Sequence, residues 1–152
     1  MALTIAKVLC TTDFSDLSLE GIEYALNFAK QFGAEVRILH VYGLPTYLAA
    51  PDGAIIPTAT LATARSDEAQ RQLDETVAKY ADRGVTIDGC LRVGITHDEV
   101  VSQAQEWGAD VIVMASHGHS GITHAILGSV TERVLRVSRC PVLVVRKNDV
   151  QA

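Results

Sequence analysis

The chain has 152 residues, a net charge of −5, 48% hydrophobic and 20% charged residues. That size fits one domain that can bury a sizeable core without a metal or a disulfide. The negative charge argues against nucleic acid and against an anionic membrane as partners, because both select a basic face. No apolar run reaches the ~20 residues needed to span a bilayer, and the N-terminal residues are too weakly apolar for a signal peptide. Cys10, Cys90 and Cys140 are an odd set without C-x-x-C spacing, so reduced thiols are expected rather than a zinc or redox site. The expectation is a single cytoplasmic domain over residues 1–152.

The elements alternate along the chain. Residues 7–12 (KVLCTT) read as a first strand. Leu19, Ile22, Leu26, Ala29 and Phe32 follow at helical spacing, and Gly33 stops that helix. Glu35–Tyr42 (EVRILHVY) reads as a second strand. Residues 61–81 form a long helical stretch with Ala69, Leu73, Val77 and Tyr80 on one side, ended by Gly84; residues 86–93 are a third strand. Thr96-His97-Asp98-Glu99 has the capping-box pattern. It opens a helix through Val100, Ala104 and Trp107, closed at Gly108. Residues 111–116 (VIVMAS) are a fourth strand, Ser129–Val137 a short helix, and Val142 to Arg146 a fifth strand. Strands alternating with helices imply a parallel sheet covered on both faces. The connection from Gly43 to Thr60 is long and carries Tyr47, Leu48, Ile55 and Ile56, so it reads either as a lid or partner contact or as a mobile loop.

In doubly wound sheets, ligands bind beyond the carboxyl ends of the strands, where the winding reverses. The first and fourth strands end in the most polar turns, Thr11-Thr12-Asp13-Phe14-Ser15 and Ala115-Ser116-His117-Gly118-His119-Ser120-Gly121. The second turn continues to Gly128-Ser129-Val130 at a helix start. Glycines there let backbone approach an anion and adopt positive φ. The helix start offers free N–H groups and the positive end of its dipole, and Ser129 is suited to the N-cap. The spacing is equally compatible with plain turns and a cap. There is no G-x-x-x-x-G-K-[ST] and no G-x-G-x-x-G after strand one. Asp13 is alternatively a polar residue starting the first helix. His117, His119 and His124 lack a helical register for a metal. His40 is expected to be a hydrogen-bonded structural residue and His97 to be solvated.

Residues 111–146 closely resemble the C-terminal half of universal stress proteins. Thr11-Thr12-Asp13-Phe14-Ser15 resembles their strand-one turn, and Leu39-His40-Val41 their strand two. The resemblance covers nearly the whole chain and implies an α/β fold of the adenine nucleotide alpha hydrolase type, a five-stranded parallel sheet of order 3-2-1-4-5. The ATP-binding branch of that family carries G-x2-G-x9-G-[ST]. Here Gly118 and Gly128-Ser129 match it, with Ala115 in place of the first glycine. The resemblance implies that Thr12 and Asp13 contribute to the site, Asp13 on the ribose or metal side. It implies that the Val41 backbone reads adenine and that Met114 and Ala115 line base and ribose. Gly118, His119, Gly128, Ser129 and Val130 would hold phosphates, with Mg²⁺ or Mn²⁺ bound through the phosphates and water.

The implied function is an ATP-binding regulatory protein in stress response, acting through nucleotide-dependent conformation, with an unknown protein partner. With no P-loop lysine, arginine finger or evident general base, no more than slow ATP hydrolysis is expected. Alternatives are a dimeric interaction module that does not bind nucleotide, and an AMP-activating ligase, whose glycine-serine loop after strand one is missing here. Val142-Leu143-Val144-Val145 carries no charge and would be an edge strand, which points to a homodimer through this strand unless the tail from Lys147 covers it.

Overall fold

The computed structural model describes residues 2–43, 52–53, 58–117 and 126–147. Its elements alternate as β1 (Lys7–Thr11), α1 (Asp16–Phe32), β2 (Glu35–Tyr42), α2 (Thr58–Lys79), β3 (Ile87–Val93), α3 (Thr96–Trp107), β4 (Val111–Ala115), α4 (Ser129–Val137) and β5 (Val142–Val145). All five strands are parallel, in the order β3-β2-β1-β4-β5. Most of the connection from Gly43 to Thr60, including Tyr47, Leu48, Ile55 and Ile56, lies outside the described residues. No helix among the described residues is long and apolar enough to cross a membrane.

Side chains alternate across the pleat, so each buried strand feeds two cores. Val8, Cys10, Val36, Ile38 and Val113 pack under α1 and α2 with Ile22, Leu26, Leu73 and Tyr80. Leu9, Leu39, Ile112 and Met114 pack on the other face with Val100, Ala104 and Val134 of α3 and α4. Continuous apolar runs such as VIVM in β4 are what burial on both faces requires.

The helix ends have local causes. Ser15 caps α1 by accepting from the Ser18 N–H at 3.3 Å, and Gly33 ends it with φ 69°, a left-handed conformation that glycine adopts freely. Gly108 ends α3 in the same way, with φ 74°. The capping box expected at the start of α3 does not form. Ile95 occupies the N-cap position without a side-chain bond, and Glu99 instead receives the Arg92 guanidinium at 2.6 Å. A charged partner on the neighbouring strand has displaced the local motif.

The opposite end of α3 is pinned at the amino ends of the strands. Trp107 lies beneath the Arg37 guanidinium, 4.5 Å from its ring centre, and beside Lys7, whose ammonium also donates to the Trp107 carbonyl at 3.1 Å. Arg37 in turn pairs with Asp88 of β3 at 2.7 Å.

Cys10 in the middle of β1 is fully buried, and burial pushes its thiol up to about 12 from an ordinary 9.0. The folded chain therefore keeps a proton that the unfolded chain releases above pH 9. The stability this contributes is complete below the unfolded value and is lost as pH rises toward 12. Cys10→Ala should remove that share of the alkaline decline, about 1.4 kcal/mol per pH unit. Urea unfolding at stepped pH compares the slopes independently of the cavity that alanine leaves.

Candidate functional site

In a parallel sheet every helix starts at the carboxyl ends of the strands. Here α1 and α2 leave toward one face and α3 and α4 toward the other, so the chain parts above β1 and β4. A cavity of about 260 Å³ opens there. Thr11, Thr12 and Asp13 line it from β1 and its turn, with Ser18 of α1 behind them. Leu39 and Val41 come from β2, and Thr96 and Val100 from the first turns of α3. Met114, Ala115 and His117 come from the end of β4, and Val130 and Thr131 from α4. The volume lies just below the ~300–1,000 Å³ range of small-molecule sites. Asp13 is the only charged side chain among the described lining residues.

The turn after β1 is held from several sides. The Thr12 N–H donates to the Leu39 carbonyl at 2.9 Å, and the Phe14 N–H donates to Thr12 Oγ1 at 3.0 Å. The buried Thr12 hydroxyl is 2.9 Å from Ser18 Oγ, which itself donates to the Ser15 carbonyl at 2.9 Å. That chain leaves Thr12 as the donor to Ser18. Asp13 Oδ1 accepts from the Ser15 N–H at 3.0 Å and from the Ser15 hydroxyl. Ser15, not Asp13, therefore caps α1, and Asp13 supports the cap while facing the cleft.

The end of β4 is tied to α4. The Gly128 N–H donates to the Ser116 carbonyl at 2.7 Å, and the Thr131 hydroxyl donates to the Ala115 carbonyl at 2.8 Å. Two expectations are corrected here. Gly128, not Ser129, is the N-cap; Ser129 is the first helical residue, and no side chain among the described residues caps this helix. Gly128 has φ −61°, so it is not a glycine for its left-handed freedom. Its small size relieves crowding, because a Cβ there would stand 3.3 Å from both the Ser116 carbonyl oxygen and the His117 Cα.

Of the residues expected at the site, Thr12, Asp13, Val41, Met114, Ala115 and Val130 line one cavity, and Gly128 and Ser129 stand at the helix start beside it. Gly118 and His119 lie outside the described residues, as do Gly121 and His124. Sequence reading missed Thr11, Ser18, Leu39, Thr96, Val100, His117 and Thr131 as lining residues. Two of these had a usable signal: Leu39 alternates with Val41, and Val100 stands one helical turn after Thr96 at a strand's carboxyl end. His40 is hydrogen-bonded as expected, through Nδ1 to the Thr12 carbonyl at 2.8 Å. His97 is half-buried rather than solvated, 3.4 Å from Asp98. Among the described residues no three His, Cys, Asp or Glu side chains cluster to hold a metal.

Comparison with known proteins agrees with this architecture. Residues 4–146 match the universal stress protein family. The universal stress protein MJ0531 of Methanocaldococcus jannaschii is 35% identical, over 93% of this chain and 82% of its own length. The solved structure of MJ0577 from the same organism superposes with a TM-score of 0.82 at 30% identity, covering 97% of this chain and 99% of that one. A universal stress protein solved in complex with cAMP superposes with a TM-score of 0.70 at 26% identity, covering 95% and 98% of the two chains. With the sheet order, the matched length and these relatives in agreement, the chain belongs to the universal stress protein family.

Proposed function

We propose that the cleft binds ATP and that the protein is a cytoplasmic regulator in stress response, working through a nucleotide-dependent conformation and a partner surface. The observation that carries this reading is the start of α4. Among the described residues no side chain caps its N–H groups, and the glycine before it lies against the backbone of Ser116 and His117, where a Cβ would be crowded at 3.3 Å. A helix start of this kind receives phosphate through backbone donors and its dipole. Leu39, Val41, Val100 and Met114 offer an apolar slot for the base. The cAMP-bound relative supports a nucleotide as the ligand class.

No lysine or arginine lines the cleft among the described residues, so charge on a triphosphate falls to backbone N–H groups and to a divalent ion. Asp13 is the carboxylate placed to meet that ion or the ribose. Mg²⁺ or Mn²⁺ would be held mainly by phosphate oxygens and water. Among the described lining residues there is no lysine or arginine, and Asp13 and His117 are the groups that could take a proton, so the reading includes at most slow hydrolysis. The three free cysteines accord with a reducing compartment.

The same reading includes a homodimer through β5. This strand is the sheet edge, and Leu143 is 38% exposed on it. The Pro141 and Val145 carbonyls accept from Ile112 of β4 and from Ser116, the residue after it, at 2.9 and 2.8 Å. Within a strand the N–H and C=O of one residue point to the same side, so residues 141, 143 and 145 face β4 and the Val144 N–H faces outward. An uncharged edge with free backbone groups is suited to the same strand of a second copy.

Three outcomes test the reading. Gly128→Val should lower ATP affinity at least tenfold by isothermal titration while the circular dichroism spectrum stays that of the wild type; undiminished binding removes this loop from the site. Asp13→Ala should cost about 1–3 kcal/mol of ATP binding, and a loss confined to Mg²⁺-containing buffer assigns Asp13 to the metal side rather than the ribose. Val144→Pro should remain folded and become monomeric by light scattering, whereas Leu143→Pro breaks the bond to β4; a wild-type chain already monomeric at tens of micromolar ends the dimer proposal. A wild-type protein that takes up none of ATP, AMP, GTP or cyclic AMP is instead an interaction module without nucleotide.

A further inference from the structure

We infer that His40 and Phe14 form a positioning clamp that fixes Asp13 in the cleft from the opposite face of the sheet. The inference rests on the nucleotide reading above and adds to it two residues that the ligand does not touch. Leu39 and Val41 line the cavity, and His40 stands between them on β2. By the alternation of the strand its side chain leaves toward the α1 and α2 face. Neither His40 nor Phe14 lines the cavity.

The clamp has two arms. His40 Nδ1 lies 2.8 Å from the Thr12 carbonyl oxygen, which can only accept, so the proton sits on Nδ1. Thr12 also donates its own N–H to the Leu39 carbonyl, so β2 grips it through both backbone groups. On the far side of Asp13, the Phe14 ring packs on the imidazole with centroids 4.4 Å apart and planes inclined by 41°. The Phe14 N–H returns to Thr12 Oγ1 at 3.0 Å. Asp13 is thus the one residue between two that are both fastened to His40.

The backbone shows that this fastening carries a load. Phe14 has φ 65°, the only positive φ outside glycine among the described residues. Side chains rarely adopt that conformation, and it persists only where the surroundings impose it. A glycine would satisfy the backbone alone and leave the turn free. An aromatic residue is held there by what its ring touches: His40 on one side, and the apolar core under α1 and α2, against which Phe14 packs, on the other. The reversal at Phe14 sends the chain from β1 into the Ser15 cap and presents Asp13 to the cleft.

The test uses the full chain and four variants. Phe14→Gly relieves the backbone and removes the ring. His40→Leu keeps bulk and removes the donor, and His40→Asn places an amide N–H near the position of Nδ1. Phe14→Gly and His40→Leu should retain the fold and lose about tenfold or more in Mg²⁺-ATP affinity, with His40→Asn recovering part of it. In an Asp13→Ala background the same two changes should alter affinity less than twofold, because the residue they position is gone. Without ligand, amide exchange at Phe14 and Ser15 should speed up in His40→Leu while Cys10 and Ile38 stay protected. Equal losses in both backgrounds overturn the clamp, as does wild-type affinity in the single variants. If the wild-type chain binds no nucleotide, the site reading fails by itself, and exchange decides the clamp: unchanged protection at Phe14 and Ser15 overturns it, and selective loss upholds it.

Discussion

The pairing of β1 with β4 is the constraint from which the rest of the molecule follows. Val8, Leu9 and Cys10 stand opposite Val111, Ile112 and Val113, so the chain, having built β2 and β3 on one side of β1, must cross back to the other side. Crossovers between parallel strands are right-handed. Reversing the direction of travel therefore sends α3 and α4 to the face opposite α1 and α2. The two sets of connections diverge above β1 and β4, and the cleft is the space they leave. Its walls are the last residues of strands, the turns that directly follow β1 and β4, and the first turns of helices.

Such a location determines the kind of chemistry available. The lining is mostly apolar, with threonine hydroxyls, one carboxylate and backbone groups. The hydrogen bonds that shape it, from Gly128 to Ser116, from Thr131 to Ala115 and from Thr12 to Leu39, each join an element end to a neighbouring strand. These described walls of the cleft are therefore tied directly to the sheet. On the proposed reading, backbone donors at the start of α4 would suit an anion better than a flexible cationic side chain, since little is left to order on binding.

Much of this was legible in the sequence because hydrophobic period reports burial directly. β2 was read with its observed bounds, and the other four strands differ from the expected bounds by one residue each. What the sequence concealed were contests between local and distant partners. Thr96 and Glu99 have the spacing of a capping box, yet Arg92 of β3 offers Glu99 a full charge, and the local bond loses. Gly128-Ser129 looked like glycine freedom followed by a serine cap. In the folded chain the glycine has ordinary φ and is small because Ser116 and His117 pass close by, a contact between residues a dozen positions apart. The lining contributed by Thr96 and Val100 required knowing that α3 crosses to the cleft side of the sheet, which follows from strand order and not from any motif near those residues.

Trp107 gives the molecule an optical asymmetry. It is the single tryptophan, held between Lys7 and Arg37 at the amino ends of the strands, a sheet's length away from the cleft. Its indole lies against two cations that stay in place as long as β1, β2 and α3 stay packed. Intrinsic fluorescence is therefore a gauge of unfolding that occupancy of the far pole leaves undisturbed.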